Sequence, residues 1–142
     1  MKDNERTQKT LSHLRNCGFR AQKVEYWQWY ALVIDEGRKA WSQHKNGMPG
    51  VRKDLFQFID IIAMREDYGI VGVQSTSKGS RYAHRAGIFA NEDAIIWLRS
   101  KGRILLYCWS QEQKNPTGPK IFWTPHVEEI TLSMIRLNEG PF

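Results

Sequence analysis

Only two of the 142 residues are cysteine. Cys17 and Cys108 are too few for a disulfide framework and lack the spacing of a metal site; both sit in apolar segments, where buried, reduced thiols are expected. His44, His84 and His126 show no metal-ligand spacing either, so surface roles are expected, with His84 alone in a segment suited to assist near a phosphate. No apolar run is long enough to span a membrane, and the opening MKDNERTQKT is too polar for a secretory signal. A cytoplasmic protein is expected. Internal repeats and low-complexity tracts are lacking. Acidic residues are outnumbered, 15 against 21 Lys plus Arg, for a net charge of +6. That balance favours a polyanionic partner such as nucleic acid. The length suits one domain, residues 1–142, with a real core.

What is present is organised around residues 51–77, VRKDLFQFIDIIAMREDYGIVGVQSTS. Two runs rich in Ile, Val and Phe, 55–64 and 70–73, flank the polar REDYG, which predicts a β-hairpin with a loop longer than two residues. The first run carries one carboxylate, Asp60. Buried in a strand it would cost several kcal/mol unless paired or bound to a metal. Side chains alternate along a strand, and a hairpin folded near Asp67 sets Asp60 opposite Gln74 or one step off. Asp60 and Gln74 are therefore expected to converge.

Around this hairpin, residues 4–16 read as a helix with Leu11 and Leu14 on one face and Gly18 as its stop. Residues 19–27 read as a strand ending in the aromatic cluster YWQWY (26–30), either a strand end packed on the core or a stacking surface for bases. Residues 35–52 read as a loop or short helix carrying Arg38, Lys39, Lys45 and Arg52, long enough to clamp a substrate. After the hairpin, 76–85 is polar and basic. Asn91 is a plausible N-cap for a helix to Ser100 that buries Ile95 and Ile96, and Gly102 ends it. Residues 103–110 form a buried strand, 111–118 a turn and 120–124 a further strand; 126–137 is ambiguous between strand and helix. The order α-β-(loop)-β-β-α-β-β predicts an α/β fold, a mixed central sheet flanked by helices.

A strand aspartate before a hairpin, followed by Gln74-Ser75-Thr76 on its second strand, resembles the PD-(D/E)XK nuclease superfamily. There the second strand carries an acid, any residue, then lysine; here Gln74 stands at the acid position and Thr76 at the lysine position. Over residues 5–110 the chain resembles archaeal and phage Holliday-junction resolvases. The resemblance implies a restriction-endonuclease-like core and a metal-dependent endodeoxyribonuclease acting on branched DNA, with homodimers making paired cuts. It also implies Mg²⁺, with Mn²⁺ substituting, held by the Asp60 carboxylate, the Gln74 amide oxygen and the Ser75 carbonyl. A further acid would complete the set: Glu25 first, Glu5 on the opening helix second. Asp54 lies six residues of strand from Asp60, roughly 20 Å; it either pairs with Arg52 or Lys53, or joins the site if the chain bends. Lys78 could reach back for the missing lysine. Arg52, Lys53, Lys78, Arg81 and Arg85 are the expected phosphate contacts. The alternatives are a related nuclease acting on transposon ends, flaps or damaged DNA, and an inactive nucleic-acid-binding module.

Overall fold

The computed structural model describes residues 1–29, 33–35, 38–40, 50–113 and 121–138. Helix α1 (Asp3–Asn16) buries Leu11 and Leu14 and ends at Gly18, whose φ of +88° suits a residue without Cβ. Strand β1 (Arg20–Lys23) follows, then β2 (Tyr26–Trp29), the short pair β3 (Val33–Asp35) and β4 (Arg38–Ala40), and β5 (Gly50–Lys53). The central hairpin is β6 (Ile61–Arg65) and β7 (Gly69–Ser77). A 3-10 turn (Lys78–Ser80), α2 (Arg81–Phe89) and α3 (Glu92–Arg99) lead to β8 (Arg103–Gln113), β9 (Ile121–Ile130) and α4 (Leu132–Asn138).

Five strands form one mixed sheet in the order β1-β6-β7-β8-β9, with β7 parallel to β8 and every other neighbour antiparallel. The parallel step needs a crossover, and α2 and α3 provide it. Both faces of the sheet are covered, which is why its central strands read as nearly continuous apolar runs. Ile61, Ala63, Val71, Val73, Leu105 and Tyr107 pack with Leu11 and Leu14 of α1. The alternate residues Ile104 and Leu106 pack on the other face with Ile59, Ile88, Ala94 and Ile135. Gly72 lies on this second face, where a Cβ would overlap the Ile59 side chain. No described helix is long and apolar enough to cross a membrane.

The structure departs from the sequence reading at several points. Residues 55–64 are not one strand, because the chain turns back between Leu55 and Ile59 before β6 begins. Residues 19–27 are not one strand either: β1 pairs with β6, whereas β2 pairs with β5. The polar stretch after β7 contains a helix, α2, held by only two buried residues, Ile88 and Phe89. Asn91 does cap α3, accepting from Asp93 N at 2.8 Å and Ala94 N at 3.4 Å, but Ile96 points outward, 59% exposed, and Ala94 is buried instead. Residues 126–137 resolve into the end of β9 followed by α4. Cys108 is buried as expected, while Cys17 is exposed. His44, Lys45 and the rest of 41–49 lie outside the described residues.

Candidate active site

The site is made by a reversal that the sequence does not advertise. Phe56 and Gln57 have φ of 52° and 68°, a conformation that costs residues other than glycine about 1–2 kcal/mol each. Phe58 N donates to Leu55 O at 3.2 Å, closing a tight turn, and Leu55 N donates to Ile59 O at 2.9 Å across it. The Asn91 side chain donates to Phe56 O at 2.9 Å, tying the turn to the start of α3. This reversal brings Asp54 back beside Asp60.

Asp60 stands at the bend that opens β6. Its backbone N donates to Val73 O at 2.9 Å and its carbonyl accepts from Val24 N at 2.9 Å, so the bend is stitched to both neighbouring strands. The hairpin register, Ile61 opposite Val73, is the one that sets position 60 against position 74. Ser75 orients the carboxylate: its backbone N donates to Oδ2 at 2.8 Å and its hydroxyl does so at 3.3 Å. Glu25 arrives from the junction where the chain leaves β1 for β2, and Lys23 pairs with it at 3.4 Å. Oxygen atoms of Glu25, Asp54 and Asp60 all lie within 4.8 Å of one another.

Three carboxylates this close resist ionising together. The Asp60 carboxyl is pushed up to about 9, first by burial, then by its hydrogen bond and charge repulsion with Asp54 and by the Glu25 charge; the Ser75 N–H acts in the opposite direction. A proton or a cation must neutralise part of the cluster.

The cluster lines a cavity of about 280 Å³ together with Arg6, Arg52 and His84. An adjoining cavity of about 630 Å³ shares Asp54 and His84 and is lined further by Gln57, Phe58, Gln74 and Asn91. Gln74 is therefore placed in the second cavity and Ser75 in the first. The Gln74 Oε1 atom is buried and has no hydrogen-bond partner. Thr76 is buried, lines neither cavity and donates its hydroxyl to Ser77 O at 3.3 Å. Glu5 is exposed and away from both cavities; Asp3 and Asn4 of the same helix reach the rim instead.

The basic residues divide. Arg52 faces the acid cavity, and Lys53, half-buried, stands opposite Tyr26 at the base of the β2–β5 ribbon. Lys78 is exposed on the turn after β7. Arg81 and Arg85 pair with Glu128 of β9 at 3.6 and 3.0 Å, and Arg85 also lies 4.4 Å over the Phe89 ring, so both pin α2 to the sheet. His126 contacts Ser110 Oγ at 3.1 Å and Glu112 at 2.7 Å on the exposed β8–β9 ribbon.

Arg6 and the central position of His84 escape the sequence reading. Arg6 has its Nε buried without a partner and lines the acid cavity from α1. Burial holds the His84 imidazole below its usual range, with Arg6 acting the same way and Asp54 opposing. No local signal marks either residue, since they reach the cavity from helices on opposite faces of the sheet. No protein-family model matches the chain, and no curated protein or solved structure matches it.

Proposed function

We propose that this chain is a metal-dependent endonuclease of the PD-(D/E)XK kind acting on DNA. The observation that carries the reading is the convergence of Glu25, Asp54 and Asp60 beside the strand that bears Gln74 and Thr76. The element order supports it: a helix, strands leading into a hairpin, helices, then a strand parallel to the second hairpin strand. Within the class, a cytoplasmic Holliday-junction resolvase working as a homodimer comes first, because a two-fold junction needs two symmetric cuts. Nucleases of transposon ends, flaps or damaged DNA come next.

The residues fit a hard cation. Three carboxylate oxygens within reach of one another and an Asp60 carboxyl pushed up by burial and its neighbours make an oxygen donor set suited to Mg²⁺, or Mn²⁺ in its place, while the unpartnered Gln74 oxygen lies in the adjoining cavity. Such an ion, when bound, supplies an activated water and offsets charge developing on phosphorus. The rest falls to the chain. Ser75 fixes the Asp60 carboxylate, and Asp54 and Glu25 complete the set. Arg52 is positioned to hold phosphate oxygens, whereas Arg6, lining the same cavity, is already paired with Asp3 and the Met1 carbonyl. His84, facing both cavities and favoured neutral by burial, can accept or return a proton at a ring nitrogen.

One observation favours a second reading. No lysine is among the described residues lining either cavity, and Thr76 brings no charge. A nucleic-acid-binding module that no longer cuts would look the same.

The test is cleavage of a four-way junction, plain duplex, flap and single strand with Mg²⁺ or Mn²⁺, wild type beside Asp60→Asn. Paired nicks in the junction alone, lost in the variant, are expected of a resolvase. Cutting of other substrates keeps the nuclease without the junction, and binding without cutting under either ion leaves the inactive module.

A further inference from the structure

Gln74 stands among apolar side chains on the face of the sheet beneath α2 and α3. It lies beside Leu106 in the β7–β8 register, on the side where Leu106 packs with Ile59 and Ile88. It is 5% exposed, and its Oε1 is buried with no hydrogen-bond partner among the described residues. A buried acceptor left without a donor lowers stability, and native chains keep few of them. Gln74 lines the cavity of about 630 Å³ that adjoins the acid cluster, a size typical of small-ligand sites.

The chemistry of this cavity is one-sided. Asp54, Glu92 and Asp93 line it, and among the described residues no Lys or Arg does. Carboxylates and an amide oxygen only accept hydrogen bonds, so a phosphate is repelled there and a group rich in N–H donors is favoured. Burial holds His84, on the same wall, towards its neutral form. Phe58 and Ile88, both buried, add apolar surface. Glu92 and Asp93 also serve the fold, in the first turn of α3. The Gln74 oxygen has no such use. Because Asp54 and His84 line the acid cavity as well, a strand whose phosphate sits at the acids can set a neighbouring base here.

We propose that this cavity is a pocket for an unpaired guanine next to the phosphate held at the acid cluster. The proposal rests on the nucleic-acid reading of the site. Guanine presents two adjacent donors on one edge, the ring N–H and the exocyclic amino group. Thymine presents a single N–H between two carbonyl oxygens, which the carboxylates oppose. In a duplex the guanine edge is taken by cytosine, so the pocket reads only a base that has left the stack. The preferred substrate is then a strand with an unpaired guanine beside the cleavage point. Gly87 of α2 offers a way to close the pocket: it lines the cavity, is exposed, and an added Cβ would meet nothing within 4 Å.

The test uses the full chain and three labelled single strands of thymidines: one with a central guanine, one with hypoxanthine there, which lacks the exocyclic amino group, and one with neither. Affinity is measured by anisotropy with Ca²⁺ in place of Mg²⁺. The guanine strand should bind about tenfold more tightly than the all-thymine strand, and hypoxanthine should lose most of that gain. Gln74→Met removes the oxygen at similar length, and Gly87→Leu puts bulk into the mouth. Each should bring the guanine strand to within about twofold of the all-thymine strand. Gly87→Leu decides the matter if Gln74→Met folds poorly. Equal affinity of wild type for all three strands, or a guanine preference that survives Gly87→Leu, would overturn the pocket. So would a loss in Gln74→Met that is the same on every strand, which makes Gln74 a ligand of the ion instead. Cleavage of the same strands with Mn²⁺ is scored separately. A guanine preference without cutting leaves the pocket and removes the nuclease, cutting with no base preference removes the pocket and leaves the nuclease, and no binding to any strand removes both.

Discussion

The two ends of the β6–β7 hairpin carry charge in opposite ways. At the turn, Arg65 reaches Asp67 at 2.6 Å and Cys17 O at 2.7 Å, and lies 4.5 Å over the Phe19 ring. Arg103 pairs with Glu129 at 3.1 Å, and Tyr68 donates to the same carboxylate at 2.6 Å. There the Arg65 guanidinium holds the Asp67 carboxyl below the usual range. At the open end, Glu25, Asp54 and Asp60 face one another, and Asp60 is pushed far the other way. Charge at the turn serves the fold. Charge at the open end opposes it, which is the pattern of a site that keeps unfavourable groups for a ligand.

The comparison breaks most clearly at Asp60. Its folded pKa is raised, so the stability it contributes is complete below its unfolded value of 3.8 and is lost as pH rises towards about 9. Asp60→Asn cannot ionise. In the metal-free protein it should be more stable than wild type by a few kcal/mol near pH 7, with the gap widening from pH 4 to 9. Asp67→Asn at the exposed turn should leave the melting temperature nearly unchanged. Unfolding curves with a chelator present read both; an Asp60→Asn protein less stable than wild type at pH 7 would refute the frustrated-cluster picture.

Backbone strain sharpens the contrast on a smaller scale. Gly69 has φ of +102° with open space where a Cβ would go, so Gly69→Ala should cost about 1 kcal/mol through conformation alone. Gln57 takes φ of 68° without being glycine, so Gln57→Gly should stabilise by up to about 1 kcal/mol, reduced by the greater freedom of the unfolded chain. Denaturant midpoints showing the same sign for both would mean that the turn before Asp60 is not strained.

On the proposed nuclease reading, the smallest effect concerns which arginines meet DNA. Arg52 faces the acid cavity, whereas Arg85 is occupied by Glu128 and the Phe89 ring. Arg52→Ala should reduce the salt dependence of binding by about one phosphate contact, and Arg85→Ala should leave the slope as it was. A reversed pattern in a salt titration would move the DNA path onto α2.

The hairpin was legible because its signals are local. β-branched runs around a polar, glycine-containing turn define it, and a fold about Asp67 gives the observed pairing of Ile61 with Val73. Gly18 and Asn91 likewise act within a turn of their own helices. Asp54 was only half legible, since its place in the site depends on a reversal at Phe56–Gln57 where neither residue is one that favours positive φ. The change of partner between β1 and β2 leaves no mark in propensity, because both segments suit a strand whichever neighbour they take.

By itself, then, the sequence determined helix α1, the β6–β7 hairpin and its register, the cap of α3 and the presence of a buried carboxylate, all set by interactions among residues close along the chain. Tertiary structure alone decided which acids stand beside Asp60, that Gln74 lines a neighbouring cavity, and that Arg6 and His84 meet over the sheet's end. Those placements follow from how α1 and α2 pack on opposite faces of the sheet and from one strained turn, and the energy that fixes them comes from residues distant in sequence.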